Sequence, residues 1–334
     1  MSDQPTLHTL VQATGLSLAT VSRALGPSTQ VSPEARARVL AAAKKLGYTR
    51  DPTAVRLKTG RSKTLAYLMD PRAAMQPGFM PLLGGLSAAV WDSDYHLLVL
   101  PEPAQTDPLD TTRYLLQRRL ADGAVLTHTA PQDARIRLLQ ERGYPCISHG
   151  RTRLPTPHAT VDFDNAAFAA DAVASLVARG RSRLAIVLPR PDACYREHLV
   201  QGFDTACQRA GLSGRRVAAI DLDSPPAAVD AWARQAMTHI DGLVLSGETP
   251  LLPVLGALSD IGLRPGDDLD IALKYSSTLP QSLRTPLLTC HENLHLAGLS
   301  LGRALMQMLA EPEAAPLQVL FPPPPIEALH HANP

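Results

Sequence analysis

Arg23 stands in the run Leu18-Ala19-Thr20-Val21-Ser22-Arg23-Ala24-Leu25, where Val21, Ala24 and Leu25 recur at i, i+3 and i+4. Helical spacing turns those three inward and leaves Leu18, Ala19, Ser22 and Arg23 on the opposite side. A guanidinium on such a face can give two hydrogen bonds to a guanine edge, whereas Leu18 and Ala19 offer apolar contact, for instance to a thymine methyl. Ser17, Thr20 and Ser22 suit phosphate oxygens, which position a helix without reading sequence. Thr6 and Leu7, at the start of the preceding helix, complete the DNA-facing candidates. A second group of polar side chains lies further along. Arg151, Asp162, Asp164, His198, Lys274 and Glu292 fall at or near strand C-termini beside a crevice, with Thr127 and Tyr275 at the same edge. Open parallel sheets bind ligands at that edge, so these eight are the candidates for contacting a small molecule. His291, Glu292 and His295 approach metal-ligand spacing, but no further carboxylate or Cys joins them, and no metal is expected.

The elements that must position these residues follow from pattern. Leu7, Leu10 and Val11 share one helical face, Gly15 supplies a turn, and Ser17 is a candidate N-cap for a second short helix, the one to lie in the major groove. Ser32-Pro33-Glu34 restarts the pattern. A third helix is predicted over 33–46, burying Val39, Leu40, Ala43 and Leu46 and stopped by Gly47. Between Asp51-Pro52 and Thr59-Gly60, six helix-compatible residues are too few to hold a helix alone in water, so this segment is expected to fold on binding. From Lys63 short apolar runs alternate with helical ones, the signal of βαβ units with parallel sheets. Strands are predicted at 64–69, 96–100, 124–127, 146–148, 184–188, 217–220, 243–245, 271–273 and 287–289. Two halves are expected to meet near Asp162 and again near Thr289. The boundaries are 1–50 for a helical DNA-binding unit, 51–62 for a hinge, and 63–334 for a ligand-binding and dimerisation unit. The Pro322 to Pro325 run is a polyproline segment or a closing strand edge.

Composition agrees with this division. A 334-residue chain that is 45% hydrophobic can build two or three cores. Its formal charge of +1 hides an asymmetry: residues 1–63 carry ten Lys/Arg against three Asp/Glu, leaving 22 against 28 for the remainder. The basic charge is thus concentrated on the small N-terminal unit, as DNA binding requires. Cys146, Cys194, Cys207 and Cys290 form no CxxC or Cys/His cluster and are expected to be buried thiols in a reducing compartment. Trp91 is expected in the core. No secretory signal pattern and no apolar run long enough to span a bilayer is present, so a cytoplasmic protein is expected. Gly-x-Ser-x-Gly, Walker and Gly-x-Gly-x-x-Gly patterns are all missing, which removes the usual marks of hydrolase, phosphoryl-transfer and dinucleotide chemistry. No enzyme activity and no cofactor is expected. A solute-binding protein of the same fold is the alternative, but it would lack the basic N-terminal unit.

Residues 6–60 resemble the lactose repressor/galactose repressor (LacI/GalR) family of bacterial transcription regulators. The resemblance rests on Ala19 to Arg23 with Leu25, Val31-Ser32-Pro33-Glu34, Arg36, Val39 and Leu46-Gly47-Tyr48, and continues through Ala54, Leu57 and Thr59-Gly60-Arg61. It implies an all-α helix-turn-helix headpiece and a periplasmic-binding-protein-like effector domain of two α/β subdomains with parallel sheets. It further implies that Leu57 of each protomer wedges into the minor groove, and hence a homodimer on near-palindromic operator DNA. Apolar wedges of this kind unstack a base step and kink the duplex. In the effector domain Asp122-Gly123-Ala124-Val125-Leu126 and Val161-Asp162-Phe163-Asp164-Asn165 fit the family pattern. Leu199 stands where the family's sugar-holding arginine is common, Leu273-Lys274-Tyr275-Ser276 replaces Gly-Phe-Asp-Asp, and Gly150-Arg151 replaces Asp-Arg. The resemblance implies a repressor controlled by a small-molecule effector, a saccharide above all, and points to the branch that includes alpha-glucoside regulators.

Overall fold

The structure is a computed structural model that describes residues 5–26, 30–49, 60–71, 76–102 and 107–329. Residues 1–62 and 63–334 form two separate compact units. In the first, α1 (Leu7–Thr14), α2 (Leu18–Ala24) and α3 (Pro33–Leu46) close around Leu10, Val21, Ala24, Val39 and Ala43. Each helix begins on a hydroxyl: Thr6, Ser17 and Ser32 accept the N–H groups of Thr9, Thr20 and Ala35. Such a cap stabilises a helix by about 1 kcal/mol over alanine. Leu40 and Leu46, expected inside, are instead 50% and 38% exposed. The buried stripe of α3 is Val39 and Ala43 at i, i+4; Leu40 is rotated by about 100° from Val39, and Leu46 closes the last turn.

The second unit has two lobes. The first is built by β1 (Thr64–Met69), α4 (Phe79–Val90), β2 (His96–Pro101), α5 (Pro108–Arg118), β3 (Gly123–Leu126), α6 (Ala134–Glu141), β4 (Cys146–His149) and β5 (Ala159–Phe163). The second follows with α7 (Asn165–Ala178), β6 (Leu184–Val187), α8 (Cys194–Arg209), β7 (Arg215–Arg216), α9 (Pro226–Ala236), β8 (Gly242–Leu245), α10 (Leu251–Asp260), β9 (Asp270–Tyr275), α11 (Leu279–Ser282) and β10 (Leu288–His291). Then α12 (Leu294–Ala310) and β11 (Gln318–Phe321) return to the first lobe, and β12 (Glu327–Ala328) to the second.

The first sheet runs β11-β5-β4-β3-β1-β2, with every pairing parallel. The second runs β12-β10-β9-β8-β6-β7, parallel except for β12 against β10. Helices cover both faces, so β3, β6 and β8 are buried along their whole length and read as continuous apolar runs. The chain crosses between lobes after β5, after β10 and again after β11. The first two crossings lie where the sequence placed them, and the third passes through the proline run.

Two further expectations are corrected. The predicted strand at 217–220 is instead Arg215–Arg216 at the sheet edge; Val217 gives its N–H to Ile186 (3.0 Å), after which the chain leaves the ladder. Trp91 is 81% exposed because α4 ends at Val90 and the indole falls at the cap. The strand Gln318–Phe321 and the short helix α11 were not anticipated. The four cysteines are buried and free.

Candidate DNA-binding helix and effector cleft

In the first unit Ser17, Leu18, Ala19 and Arg23 are exposed while Thr20 and Ser22 are half-buried, away from the core formed by Val21 and Ala24. Two arginines of α3 fasten the turns on either side of this helix. Arg36 Nη1 donates to Gly26 O (2.8 Å), and Arg38 Nη2 donates to Thr14 O beside Gly15, whose φ of 64° makes the turn. Ser17 Oγ lies 2.8 Å from Thr20 Oγ1 and caps α2, so one hydroxyl orients the helix and the next one. Thr6 is exposed and forms a reciprocal box with Thr9, while Leu7 packs against the core. Leu57 and the segment 53–58 lie outside the described residues.

In the second unit a cavity opens between the lobes at the C-terminal edges of both sheets. Its polar wall is built from paired charges. Asp162, at the end of β5, accepts from Arg151 Nε (2.7 Å) and from Phe163 N (2.9 Å). Lys274, on β9, lies 2.8 Å from Glu292 Oε2 and donates to Asn165 Oδ1 (2.8 Å), with its ammonium 5.2 and 5.3 Å from the Phe163 and Tyr195 ring centres. His149 Nε2 is 3.7 Å from the other Glu292 oxygen. Burial pushes the Glu292 carboxyl up, but Lys274, aided by His149, outweighs it and holds the group below its ordinary value. The apolar side is Phe79 and Leu82 of α4 with Tyr67, whose ring stacks on Phe79 at 6.4 Å. An adjoining recess shares Gln76, Gly78, Tyr195, Lys274, Glu292 and Leu294 with the first and adds Tyr275 and Glu248.

The loop after β3 carries Thr127, His128 and Thr129 into the cavity, and it is braced from behind. His128 has φ of 52°, a strained value for a residue with a side chain. Arg135, buried at the start of α6, donates to the carbonyls of both Thr127 (3.1 Å) and His128 (3.4 Å). Arg135 is itself held by Asp133 (2.9 Å) and Glu102 (3.1 Å). This buried three-residue network fixes the loop that the cavity needs.

Of the eight effector candidates, Thr127, Asp162, Lys274 and Glu292 line the main cavity and Tyr275 lines the recess. Arg151 stands behind Asp162, and its Nη2 is 3.3 Å from His198 Nδ1. Burial, followed by Arg151 itself, lowers the His198 pKa and leaves the ring able to accept. Asp164 does not join them: it caps α7 by accepting from Ala167 N (3.0 Å). Gln76, Phe79, His128, His149 and Asn165 line the cavity but were not picked out from sequence. His128 and His149 sit at strand ends, where the same edge rule finds them. Asn165 closes the Asp-Phe-Asp-Asn run already noted. Gln76 lies before α4 and Phe79 at its first residue, and neither carries such a signal.

A three-helix unit with an exposed recognition helix, followed by a two-lobed α/β unit with a polar cleft, defines a ligand-responsive DNA-binding protein. Comparison with protein families agrees. Residues 6–51 match bacterial regulatory proteins of the lacI family, 63–239 match periplasmic binding proteins and the sugar binding domain of the LacI family, and 173–327 match a periplasmic binding protein-like domain. The chain belongs to the LacI family and is a helix-turn-helix transcriptional regulator, not an enzyme. It is 28% identical to the transcriptional regulator AglR of Rhizobium meliloti, over 90% of this chain and 86% of that protein. It is 24% identical to CelR of Thermobifida fusca, over 95% and 96%. Among solved structures, a CelR–cellobiose complex covers 97% of this chain and 99% of its own at TM-score 0.70 and 21% identity. The lac repressor dimer bound to operator and the anti-inducer ONPF covers 97% and 98% at TM-score 0.78 and 18% identity, a likeness of fold.

Proposed function

We propose that the chain is a repressor that binds a near-palindromic operator as a homodimer and releases it when an uncharged saccharide occupies the cleft. The observation that carries the effector class is the neutralised wall: Arg151 is spent on Asp162 and Lys274 on Glu292. A phosphate or carboxylate ligand would have to break a buried or half-buried pair, whereas hydroxyls can bond to both partners without doing so. Aromatic and aliphatic side chains opposite a polar wall suit a ring with one apolar face. The cellobiose bound by a structural relative supports the same class.

On the DNA side, Arg23 reads a base, Leu18 and Ala19 make apolar contacts, and Thr6, Leu7, Ser17, Thr20 and Ser22 position the helix on the backbone. Leu57 from each protomer wedges the centre of the site. The effector acts by preferring one arrangement of the lobes, since equal affinity for both shifts nothing. With operator DNA as its partner, the protein works in the cytoplasm. The test is a thermal-shift screen of the full-length chain against unphosphorylated mono-, di- and trisaccharides, sugar phosphates and nucleosides. A shift confined to neutral saccharides is expected; shifts by sugar phosphates or nucleosides alone would contradict the proposal.

A further inference from the structure

We infer that Gln76 and Asp223 form a latch that holds the two lobes together before any effector binds, so that Gln76 sets how readily an effector enters and leaves. Gln76 precedes α4 in the first lobe and Asp223 precedes α9 in the second. The Gln76 amide reaches both sides of the cleft: Oε1 is 3.0 Å from His128 Nε2, and Nε2 donates to Asp223 Oδ1 (3.3 Å). The carboxylate accepts and cannot donate, which fixes the amide with its NH2 toward Asp223 and its oxygen toward His128. His128 must then donate from Nε2 and accept at Nδ1 from Thr127 Oγ1 (3.1 Å), whose oxygen faces the Tyr67 hydroxyl at 3.3 Å. Burial lowers the His128 pKa and keeps the ring in the neutral form this series requires. Arg190 anchors the far end, with Nε 3.1 Å from Asp223.

The backbone next to Gln76 confirms how close this approach is. A Cβ placed on Gly78 would stand 3.0 Å from Ser276 Oγ of the second lobe, so the two lobes come within contact distance beside Gln76. At the opposite rim the lobes meet independently: Cys194 N donates to Thr129 O (2.8 Å) and Arg153 pairs with Glu197 (3.1 Å). Gln76 also lines both recesses, so whatever fills them meets the latch residue itself.

The latch's link to effector exchange rests on the saccharide reading above, and the experiment separates the two. In the full-length chain without ligand, amide exchange at Cys194 reports lobe opening, and exchange at Val244 inside β8 is the reference. Gln76→Ala and Asp223→Ala should each speed Cys194 exchange on the order of fivefold, the scale of one partly exposed hydrogen bond to a carboxylate. The double variant should match the single ones, because they break the same contact. Gln76→Glu, which sets a second carboxylate against Asp223, should open the cleft at least as much as Gln76→Ala, and it carries the test should Asp223→Ala fail to fold. Cellobiose and maltose serve as probes of exchange with ligand, and Gln76→Ala should speed dissociation of either by a similar factor. If no neutral mono-, di- or trisaccharide binds the unmodified chain while Cys194 exchange responds as stated, the latch stands and the saccharide reading falls. Unchanged Cys194 exchange in the Gln76 variants, or additive effects in the double variant, overturns the latch.

Discussion

Lys274→Met would remove the ammonium that lies 2.8 Å from both Glu292 Oε2 and Asn165 Oδ1, while methionine keeps comparable bulk in the same space. In the unmodified chain Glu292 is held below its ordinary pKa, so it stabilises the fold above its unfolded value, and that stabilisation is lost as pH falls through the folded value. The two side chains are 8% and 13% exposed, so solvent screens the pair weakly. Breaking it belongs with buried pairs, at a cost of about 3 kcal/mol near pH 7. Without the ammonium, burial is opposed by little more than His149, and the Glu292 carboxyl moves above its ordinary value. The sign of its contribution then reverses: the penalty is full at neutral pH and shrinks as acid protonates the carboxyl. The gap between variant and unmodified chain should narrow to about 1 kcal/mol near pH 4. Lys274→Met combined with Glu292→Gln should recover most of the loss at pH 7. Urea unfolding followed by tryptophan fluorescence measures this directly, because Trp91 and Trp232, the chain's 2 tryptophans, both lie in the second unit. A loss under about 1 kcal/mol at pH 7, or a gap that widens on acidification, would refute the reasoning.

Arg135→Met should destabilise the second unit by about 3 kcal/mol in the same assay and should speed amide exchange across 127–129, with partial relief in acid as Glu102, whose pKa burial already raises, takes up a proton. Arg23→Ala should relax preference at one base pair per half-site by about 1 to 3 kcal/mol in competition binding; equal losses on specific and random duplex would speak against base contact. Leu57→Gly should leave dimerisation intact while reducing operator bending in a circular-permutation gel shift, and unchanged bending would reject the wedge.

Residues whose local chemistry and burial agree were readable from sequence. Ser32, Pro33 and Gly47 bound α3 because capping is set within a few residues, and the apolar runs of β1, β3, β6 and β8 announce strands buried on both faces. Leu40 and Trp91 were misplaced because hydropathy reports what a side chain prefers, not which way a short helix or its last residue turns. The edge rule found Thr127, Asp162, Lys274 and Glu292, since topology alone brings strand ends to one cleft. It could not find Gln76, which reaches the site from a loop and gains its meaning from Asp223, 147 positions away. Nor could it separate Asp164 from Asp162: in a strand-to-helix junction one carboxylate caps the helix and its neighbour faces the cavity, and the backbone decides which.

The most direct test of the regulator account is mobility shift of the full-length chain on the duplex it selects from a random pool, at about 50 and 200 mM salt, with and without the neutral saccharide that stabilises it. The account predicts an enriched near-palindrome, binding at least about 10³-fold tighter than to random duplex, a steep fall with salt, and release by the sugar. Failure to enrich any sequence, or equal affinity for selected and random duplex, would contradict it.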